Sequence, residues 1–371
     1  YAWKIAGTVI RWYSEENGSL DMEREKTEYK DLVRKLNTWK YDEKIHREYY
    51  FMEKTPENIA KFEERHSGHC EFEKDVEWAV HPEKINEYSR EDMFIPTGYN
   101  VSLVKHPRYF PLFYHEHDFF EMIYVLSGNC NNFFQDSTEK LTAGDLCLIA
   151  PNVRHGILAV EDDSIILNIL IRRSTFMDIF YNTVRDKTQI SSFFVGNLYF
   201  REKIRYLLFH TKNDTVIRNY ILDMYREQKT GDSFSDRIIC SILTLFFVEL
   251  TRRHGNNVSI PDSRRDRTQQ ESEMLAYMIG NCSTVTLNKL AEEFHFSVPY
   301  CSKLIKSITG KTFSNLLTEI RLQQGEQLLL YSQLSVEDIS DKVGYRNPES
   351  FIRAFRQLHN DTPSQYRRKN K

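Results

Sequence analysis

The stretch "SVEDISDKVGYRNPESFIRAFRQLHNDTPSQY", Ser335 to Tyr366, predicts two helices joined by a tight turn. Ser335 can cap the start of the first helix, and Gly344 can supply the left-handed turn at its end. Asn347 then caps a second helix whose first position is Pro348, the place where a helix tolerates proline. The stretch therefore predicts a helix-turn-helix unit.

The second helix of this unit has two different faces. Phe351, Phe355 and Leu358 recur at helical spacing and predict a face that packs inward. The other face is polar and basic, and its members are Glu349, Ser350, Arg353 and Arg356. A helix with such an outer face can enter the major groove of DNA, where Lys and Arg read guanine edges or pair with phosphates.

The same pattern occurs earlier in the chain. "TLNKLAEEFHFSVPYCSKLIKSITGKTFSNLL", from Thr286, aligns with the first stretch, with a serine cap before its second helix. In this alignment Lys303 and Lys306 fall on Arg353 and Arg356. The repeat predicts two helix-turn-helix units, with the long helical run between them setting a spacing of about one DNA turn, ~34 Å.

The two predicted units, residues 286–308 and 335–358, lie in a predicted all-α domain of residues 263–371. Any helix pair has a polar outer face, so one unit alone is also compatible with a structural role. Two copies with matched caps and basic positions favour DNA binding. The segment Ser263–Lys371 holds 16 Lys and Arg against 12 Asp and Glu, in a chain of net charge −3. A basic segment on an acidic body suits a polyanionic partner.

The last hundred residues resemble the DNA-binding domain of AraC/XylS-type transcriptional regulators. The motifs that carry this resemblance are Ile339, Gly344-Tyr345, Phe351, Phe355, Thr362-Pro363 and Tyr366-Arg367. The first unit departs mildly, because His295, Cys301 and Ile305 stand where Gly, Leu and Phe are common. We interpret these three departures as variations in packing that leave the DNA-binding role intact.

The resemblance implies which residues contact DNA. Base contacts come from the early and middle positions of each second helix, and Lys306 and Arg356 contact phosphates. The residues predicted to form the DNA-binding surface are Pro299, Tyr300, Lys303, Lys306, Asn347, Pro348, Glu349, Ser350, Arg353 and Arg356.

Residues 91–175 have a different character, with short β-rich runs separated by turn residues. Several short strands at this spacing predict an antiparallel barrel or sandwich. Within this region "FYHEHDFFEMIYVLSGN", residues 113–129, places His115, His117 and Glu121 at odd positions. Because successive side chains of a strand alternate, these three are predicted to point to one side.

This stretch resembles the first motif of cupin barrels, H-x-H-x3-E-x6-G, and matches it completely. The second motif, "GDLCLIAPNVRHGI", adds His155 but departs from the cupin pattern at Val153. It is instead similar to the version found in the ligand-sensing domains of AraC/XylS-type regulators. The candidate metal ligands are His115, His117, Glu121 and His155, and the candidate effector-binding residues are the same four with Tyr124.

Three interpretations of this site stay open. Three imidazoles and a carboxylate are competent to bind Mn, Fe, Ni or Zn. The same groups can hydrogen-bond a sugar or another small polar ligand without any metal. They can also simply satisfy one another as structural residues.

The remaining segments are less specific. Residues 1–90 predict a polar, helical N-terminal extension without an assignable function. Residues 176–262 return to helix, and the apolar run Ile238–Leu250 predicts a buried helix that can form a dimer seam. The polar stretch 255–270 is the best linker candidate. No signal-peptide or membrane-spanning pattern is found, and six cysteines without a CxxC pair are typical of a reduced, cytoplasmic protein.

The expected fold class is a multidomain chain of α and β parts. They are a helical N-terminal extension, a cupin-like antiparallel β-barrel, a helical dimerisation and linker segment, and an all-α double helix-turn-helix domain. The expected function is that of a bacterial transcription regulator, not an enzyme, that binds double-stranded DNA as a homodimer. A small molecule, for which the resemblance implies a carbohydrate, binds the barrel and changes promoter occupancy. No cofactor is required beyond the metal that the barrel can hold; the alternative is a metal-dependent cupin enzyme fused to a DNA-binding domain.

Overall fold

The structure, a computed structural model, describes residues 18–66, 72–176, 204–212, 214–259 and 265–370, together with residues 190, 193, 197 and 199. Contacts divide the described chain into two compact units. The first unit runs to Thr175 and includes Leu208–Asn257, and the second joins Phe176–Leu207 to the residues from Val258 onward. Residues 1–17 of the predicted extension, 177–189 of the predicted helical segment and 260–264 of the predicted linker lie outside the described residues.

The order of elements confirms the predicted fold class, because helices precede an antiparallel β-domain and a helical domain ends the chain. The first helices pack around a small core of Ile45, Phe62 and Ala79. A short 3-10 turn, Pro82–Lys84, lies between the fourth and the fifth of these helices. These helices are α1 (Gly18–Asn37), α2 (Tyr41–Phe51), α3 (Pro56–His66), α4 (Glu73–Val80) and α5 (Glu91–Phe94).

The β-domain is built mainly from antiparallel pairs in two sheets. The strands are β1 (Tyr88–Ser89), β2 (Val101–His106), β3 (Glu116–His117), β4 (Phe120–Ser127), β5 (Asn129–Phe134), β6 (Thr138–Thr142), β7 (Asp145–Ile149), β8 (His155–Leu158), β9 (Ile165–Ile171), β10 (Tyr206–His210) and β11 (Val258–Ser259). In the main sheet, neighbouring strands follow the order β7, β4, β9 and β2, and the second sheet has the order β6, β5 and β8.

The strand register decides which side chains share a side of the main sheet. Ile123 of β4 pairs with Asn168 of β9, and His106 of β2 pairs with Ile166, two residues from Asn168. Glu121 lies two residues from Ile123 on β4. Paired residues, and residues two apart on one strand, point to the same side. Glu121, Asn168 and His106 therefore lie on one side, which we name the Glu121 face.

A buried ion cluster fixes the N-terminal helices on the β-domain. The carboxylate of Glu43 on α2 lies 2.8 Å from Lys105 Nζ and 2.9 Å from Arg108 Nη2, and all three residues are buried. The Arg108 guanidinium also stacks 3.9 Å from the ring centroid of Trp39 and donates a 2.6 Å hydrogen bond to the carbonyl of Asp162. Because an unpaired buried charge is costly, this cluster makes helices and sheet one unit.

Two further helices belong to the first unit, α6 (Thr215–Thr230) and α7 (Ser235–His254). The inner face of α7 is buried, whereas Phe234 just before it and Leu245 on its outer face are 62% and 53% exposed. The apolar run predicted as a buried helix is therefore buried on one side only. Among the described helices, none combines the length and the apolar composition that crossing a bilayer requires.

The second unit carries the C-terminal helices. Its last helices pack around a core that includes Ile339, Val343, Phe351 and Phe355. The helices are α8 (Arg265–Gly280), α9 (Leu287–Glu293), α10 (Val298–Thr309), α11 (Phe313–Tyr331), α12 (Val336–Lys342), α13 (Pro348–His359) and α14 (Pro363–Asn370).

Candidate functional site

Four side chains that the sequence singles out come together in the β-domain. One potential ligand atom from each of His115, His117, Glu121 and His155 lies within 4.8 Å of the others. His117 is on β3, Glu121 on β4 and His155 on β8, while His115 joins them through a backbone bridge to His155. Strands from three sheets, since β3 pairs with β1 apart from the other two, thus converge on one buried point, and we name these residues the Glu121 cluster.

Backbone hydrogen bonds set the orientation of two imidazoles in this cluster. Nδ1 of His117 lies 2.8 Å from the carbonyl of Phe119, and Nδ1 of His155 lies 3.0 Å from the carbonyl of Val153. A carbonyl oxygen only accepts hydrogen bonds, so each Nδ1 carries the proton. In a neutral ring, Nε2 then offers a lone pair instead of a proton.

Both Nε2 atoms face the same carboxylate oxygen. Glu121 Oε2 lies 3.1 Å from Nε2 of His117 and 3.0 Å from Nε2 of His155. Lone pairs that meet a carboxylate repel it unless a proton or a metal ion lies between them. Imidazoles that donate Nδ1–H to a carbonyl while Nε2 faces a metal are the usual arrangement of protein metal ligands. The donor set therefore fits a divalent metal ion.

The protonation of the two imidazoles decides the charge balance of the cluster. Burial raises the pKa of Glu121, whereas a proton on Nε2 of His117 or His155, donated to the carboxylate, holds that pKa well below its ordinary value. Burial lowers the pKa of His115 to about 3. At neutral pH the cluster thus has an ionised Glu121 and an uncharged His115.

The surroundings of the cluster hold further polar atoms that lack partners. Among the described residues, no hydrogen-bond partner is found for His106 Nε2, His115 Nδ1, Asn132 Oδ1 or Asn168 Oδ1, all of them buried. Asn132 reaches the same region, since its Nδ2 lies 3.7 Å from Sγ of Cys147, which pairs with Ile123. Each unpaired buried polar atom costs about 1–3 kcal/mol. The Glu121 face is therefore polar and unsatisfied, as a ligand pocket would be.

The sequence placed Tyr124 with the effector-binding residues, but the structure does not bring it to the cluster. Tyr124 is three residues from Glu121 on β4, so its side chain points to the opposite face of the sheet. There it is fully buried, and burial raises the pKa of its phenol to about 12. Its hydroxyl is buried there without a hydrogen-bond partner among the described residues.

Sequence reasoning missed His106, Asn132 and Asn168. Asn168 carried a signal, because it is the one polar residue in the strand "IILNILI". A lone amide in an otherwise apolar buried strand needs a partner, and that points to a pocket or a paired side chain. His106 is the last residue of β2, and the sequence alone does not indicate which side of the sheet it faces. That side follows from the pairing of His106 with Ile166 on β9.

The two helix-turn-helix units have the predicted caps. Ser297 Oγ accepts from the backbone of Tyr300 at 3.3 Å, and Asn347 Oδ1 accepts from the backbone of Glu349 at 2.8 Å. The second helices, α10 and α13, each have 12 residues and end in a left-handed residue, Gly310 or Asn360. Similar local signals therefore start and stop both helices at matching positions.

The predicted DNA-binding residues lie on the outer sides of α10 and α13. Eight are exposed, whereas Pro348 and Ser350 are half-buried. Lys303, Lys306, Arg353 and Arg356 form no ion pair with any residue that the structure describes. Four free cations on two matching helices suit a partner with regularly spaced negative charges.

One predicted core residue is not buried. Leu358 was expected on the inner face of α13 with Phe351 and Phe355, but it is 52% exposed. The helix ends at His359, whose ring stacks on Phe355 at a centroid distance of 4.2 Å. The histidine ring thus covers the end of the core in place of Leu358.

A buried polar cluster in a β-domain and two helix-turn-helix units in one chain indicate a DNA-binding regulator with a sensor domain. Residues 105–190 match the AraC-like ligand binding domain, and residues 290–369 match a helix-turn-helix domain. These two matches support a regulator of the AraC family, with a ligand-binding domain before a DNA-binding domain.

Curated relatives align with both parts of the chain. The chain is 24% identical over 284 residues to the HTH-type transcriptional activator RhaR of Pectobacterium atrosepticum, across 75% of this chain and 94% of the relative. It is 25% identical over 284 residues to the HTH-type transcriptional activator RhaS of Escherichia coli, across 74% of this chain and 94% of the relative. A crystal structure of apo ToxT from Vibrio cholerae is similar at a TM-score of 0.32 and 15% identity, covering 75% of this chain and 99% of that chain.

Proposed function

We propose that this regulator senses a neutral carbohydrate on the Glu121 face and converts its binding into a change in promoter occupancy. The supporting observation is the group of buried polar atoms there without a partner among the described residues. Sugar hydroxyls both donate and accept hydrogen bonds, so one sugar can satisfy imidazole nitrogens and amide oxygens together. Regulation then requires only that the sugar binds one conformation more tightly than another, with a coupling of about 1–3 kcal/mol.

A thermal-shift screen tests the ligand class. Neutral monosaccharides are added singly to the full chain, and a sugar at 100 times its Kd should raise the free energy of unfolding by about 2.7 kcal/mol. The same sugar should change the affinity for a DNA site selected from a random pool. Stabilisation by none of the sugars would overturn the carbohydrate assignment.

The exposed second helices support a specific role for Arg353 in reading DNA. Replacing Arg353 with Ala should cost about 1–3 kcal/mol at one base position and relax specificity there. The measurement is the affinity of wild type and Arg353→Ala for the selected site and for each of its single-base variants. Equal weakening on every sequence would make Arg353 a phosphate contact instead.

Lys306 is proposed to contact a phosphate. Lys306→Ala should lower the slope of log K against log salt by about one unit without changing base preference. Lys369→Ala is a matched control, because Lys369 is already paired with Asp361 at 2.7 Å and lies on α14. A slope unchanged in Lys306→Ala would remove this lysine from the interface.

The Glu121 cluster is further proposed to hold one divalent transition metal. His115, His117, Glu121 and His155 would be its ligands, and the ion would neutralise the buried carboxylate and fix the pocket wall. No catalytic step is assigned to it.

Elemental analysis of protein purified without chelator tests the metal, with one ion per chain expected. His117→Ala should lose it, and His66→Ala, which removes a buried imidazole outside the cluster, should retain it. A wild-type chain that stays metal-free after incubation with Zn²⁺, Mn²⁺, Ni²⁺ or Fe²⁺ would overturn the proposal.

A homodimer formed through α7 is proposed from its outer face. Phe234, Ile238 and Leu245 are exposed apolar residues at helical spacing, and such a stripe suits a second copy of the same helix. Sedimentation of the full chain should show a dimer that Leu245→Lys converts to monomers. A wild type that sediments as a monomer at micromolar concentration would contradict this seam.

We also propose a cytoplasmic location for the protein, because its partner is DNA.

A further inference from the structure

The ring of Phe110, which follows β2, contacts aromatic side chains of both the N-terminal helices and the β-domain. The ring centroids of His46 on α2 and Trp78 on α4 lie 4.9 and 6.1 Å from that of Phe110. The ring of His106, at the end of β2, lies 6.1 Å from it on the β-domain side. Phe110 thus marks the place where the helical extension meets the β-domain.

A row of rings leads from this place to the Glu121 cluster. Phe110 lies 5.8 Å from Phe113, and Phe113 stacks on His115 at 4.7 Å. His115 is in turn 4.4 Å from the ring of His155. The N-terminal helices are therefore linked to the pocket through two aromatic side chains, although neither family match includes those helices.

The histidines beside Phe110 carry buried nitrogens without partners. Neither ring nitrogen of His46, nor Nε2 of His106, makes a hydrogen bond of ordinary geometry to any described residue, although the backbone of Asp75 lies near enough to His46 to raise its pKa. The nearest carboxylate oxygen, Asp75 Oδ1, lies 3.8 Å from His46 Nε2, too far for a hydrogen bond. A polar molecule between the two histidines would satisfy these atoms.

Charge at this place selects the kind of molecule. Two carboxylates balance the two nearby cations, because Glu43 lies 2.8 and 2.9 Å from Lys105 and Arg108, and Asp75 lies 3.8 Å from His46. Burial lowers the pKa of His46 and of His106 to about 4, so both rings are uncharged at neutral pH. Neutral imidazoles that each donate and accept, next to aromatic rings, suit a neutral hydroxylated ligand better than an anion.

We propose that the N-terminal helices form one wall of the effector site, and that a neutral polyhydroxylated ligand binds between His46 of α2 and His106 and His115 of the β-domain. This inference rests on the proposed carbohydrate-sensing function and assigns part of its recognition to the extension. The helices are then a component of the sensor, and His46 is a specificity-determining residue that contacts the ligand.

Isothermal titration calorimetry of the full chain tests this site. The probes are neutral aldopentoses, aldohexoses and 6-deoxyhexoses, with the corresponding uronic acids as anionic counterparts. His46→Phe keeps an aromatic ring against Phe110 but removes both nitrogens. For the sugar that the wild type binds, His46→Phe should raise the Kd at least tenfold. In the sugar-free protein its Tm should be equal or higher, because an apolar ring replaces unpartnered polar atoms.

His66→Phe is the matched control. His66 is also a buried imidazole of the N-terminal helices, but its nitrogens lie 3.2 Å from the hydroxyl of Tyr41 and 3.1 Å from the carboxylate of Glu48. This variant should lower the Tm and leave the sugar affinity unchanged. A purely structural role for His46 would give the same result as this control. His106→Leu tests the opposite wall independently should His46→Phe not fold.

The outcomes separate this inference from the proposed function. A sugar bound equally by wild type, His46→Phe and His106→Leu overturns the inference and leaves carbohydrate sensing intact. Tighter binding of a uronic acid than of its neutral counterpart overturns the assigned ligand class. A wild type that binds none of the neutral sugars overturns the inference together with the proposed carbohydrate effector.

Discussion

Two buried carboxylates in the first unit, Glu43 and Glu121, have opposite surroundings. Glu43 accepts from Arg108 and lies beside Lys105, so two permanent cations and several hydrogen bonds neutralise it. Glu121 meets the Nε2 atoms of two histidines whose Nδ1 protons are already given to backbone carbonyls. The first carboxylate is paired with cations of the chain, whereas the second faces a set of donor atoms that fits a metal ion.

The partners of a buried carboxylate distinguish a structural carboxylate from a candidate ligand-binding one, and no sequence motif is needed for this distinction. A buried charge that the chain satisfies itself stabilises the fold, and a buried charge that faces lone pairs lowers stability until something binds. Burial alone does not distinguish the two, since Glu43 and Glu121 are both almost fully buried. The partners and their proton positions make the distinction.

The largest expected effect is at Glu43. Glu43→Gln should lower the free energy of unfolding by about 3–5 kcal/mol, because Lys105 and Arg108 would remain buried without their carboxylate. Chemical denaturation at neutral pH measures it. Glu48→Gln on the same helix is the control, since Glu48 is partly exposed beside Arg65 and should cost no more than about 1 kcal/mol. Similar losses in both variants would contradict the contrast drawn for Glu43.

The next effect is on acid stability. Burial lowers the pKa values of His46 and His106 from 6.5 to about 4. Between pH 6.5 and pH 4 these two histidines are therefore protonated in the unfolded chain but not in the folded chain. The free energy of unfolding should therefore be fully retained above about pH 6.5 and fall towards pH 4, by up to about 3 kcal/mol for each histidine. Denaturation curves of wild type and His46→Phe measure it, and the variant should lose roughly a third of the slope, because His115, with a pKa lowered to about 3, contributes as well.

The smallest expected effect on stability is at Glu121. In metal-free protein, Glu121→Gln should change the free energy of unfolding by about 1 kcal/mol or less, and upward, because the amide can donate to an imidazole lone pair. The same variant should no longer bind a metal ion. A loss as large as that of Glu43→Gln would show instead that both imidazoles are protonated and that the cluster is a structural ion pair.

The sequence predicted the parts of the molecule that depend on local signals. Ser297 and Asn347 cap their helices as expected. His115, His117 and Glu121 do come together, but not on the single strand that their odd spacing predicted, because a bend at residues 118–119 separates β3 from β4. Caps and strand alternation act over a few residues, so they can be read without knowing the partner elements. Tyr124 could have been separated by the same argument, because it is three residues from Glu121.

The parts that could not be predicted depend on pairing between distant segments. His46 is far from His106 in sequence, and nothing in the helical pattern of α2 indicates that its ring meets Phe110. The role of Glu43 is hidden for the same reason, since one acid among many in a charged helix gives no sign of burial. Strand register and helix docking, not composition, bring these residues to the sensor.

The ion cluster of Glu43 also has a consequence for cooperativity. It joins α2 to the end of β2, so these segments should open together in native-state hydrogen exchange, with one free energy of opening. The match to the ligand-binding family begins at residue 105, inside that unit. The boundary of the family match and the boundary of the folding unit are therefore different. A chain that begins at residue 91 would bury Lys105 and Arg108 without the carboxylate of Glu43.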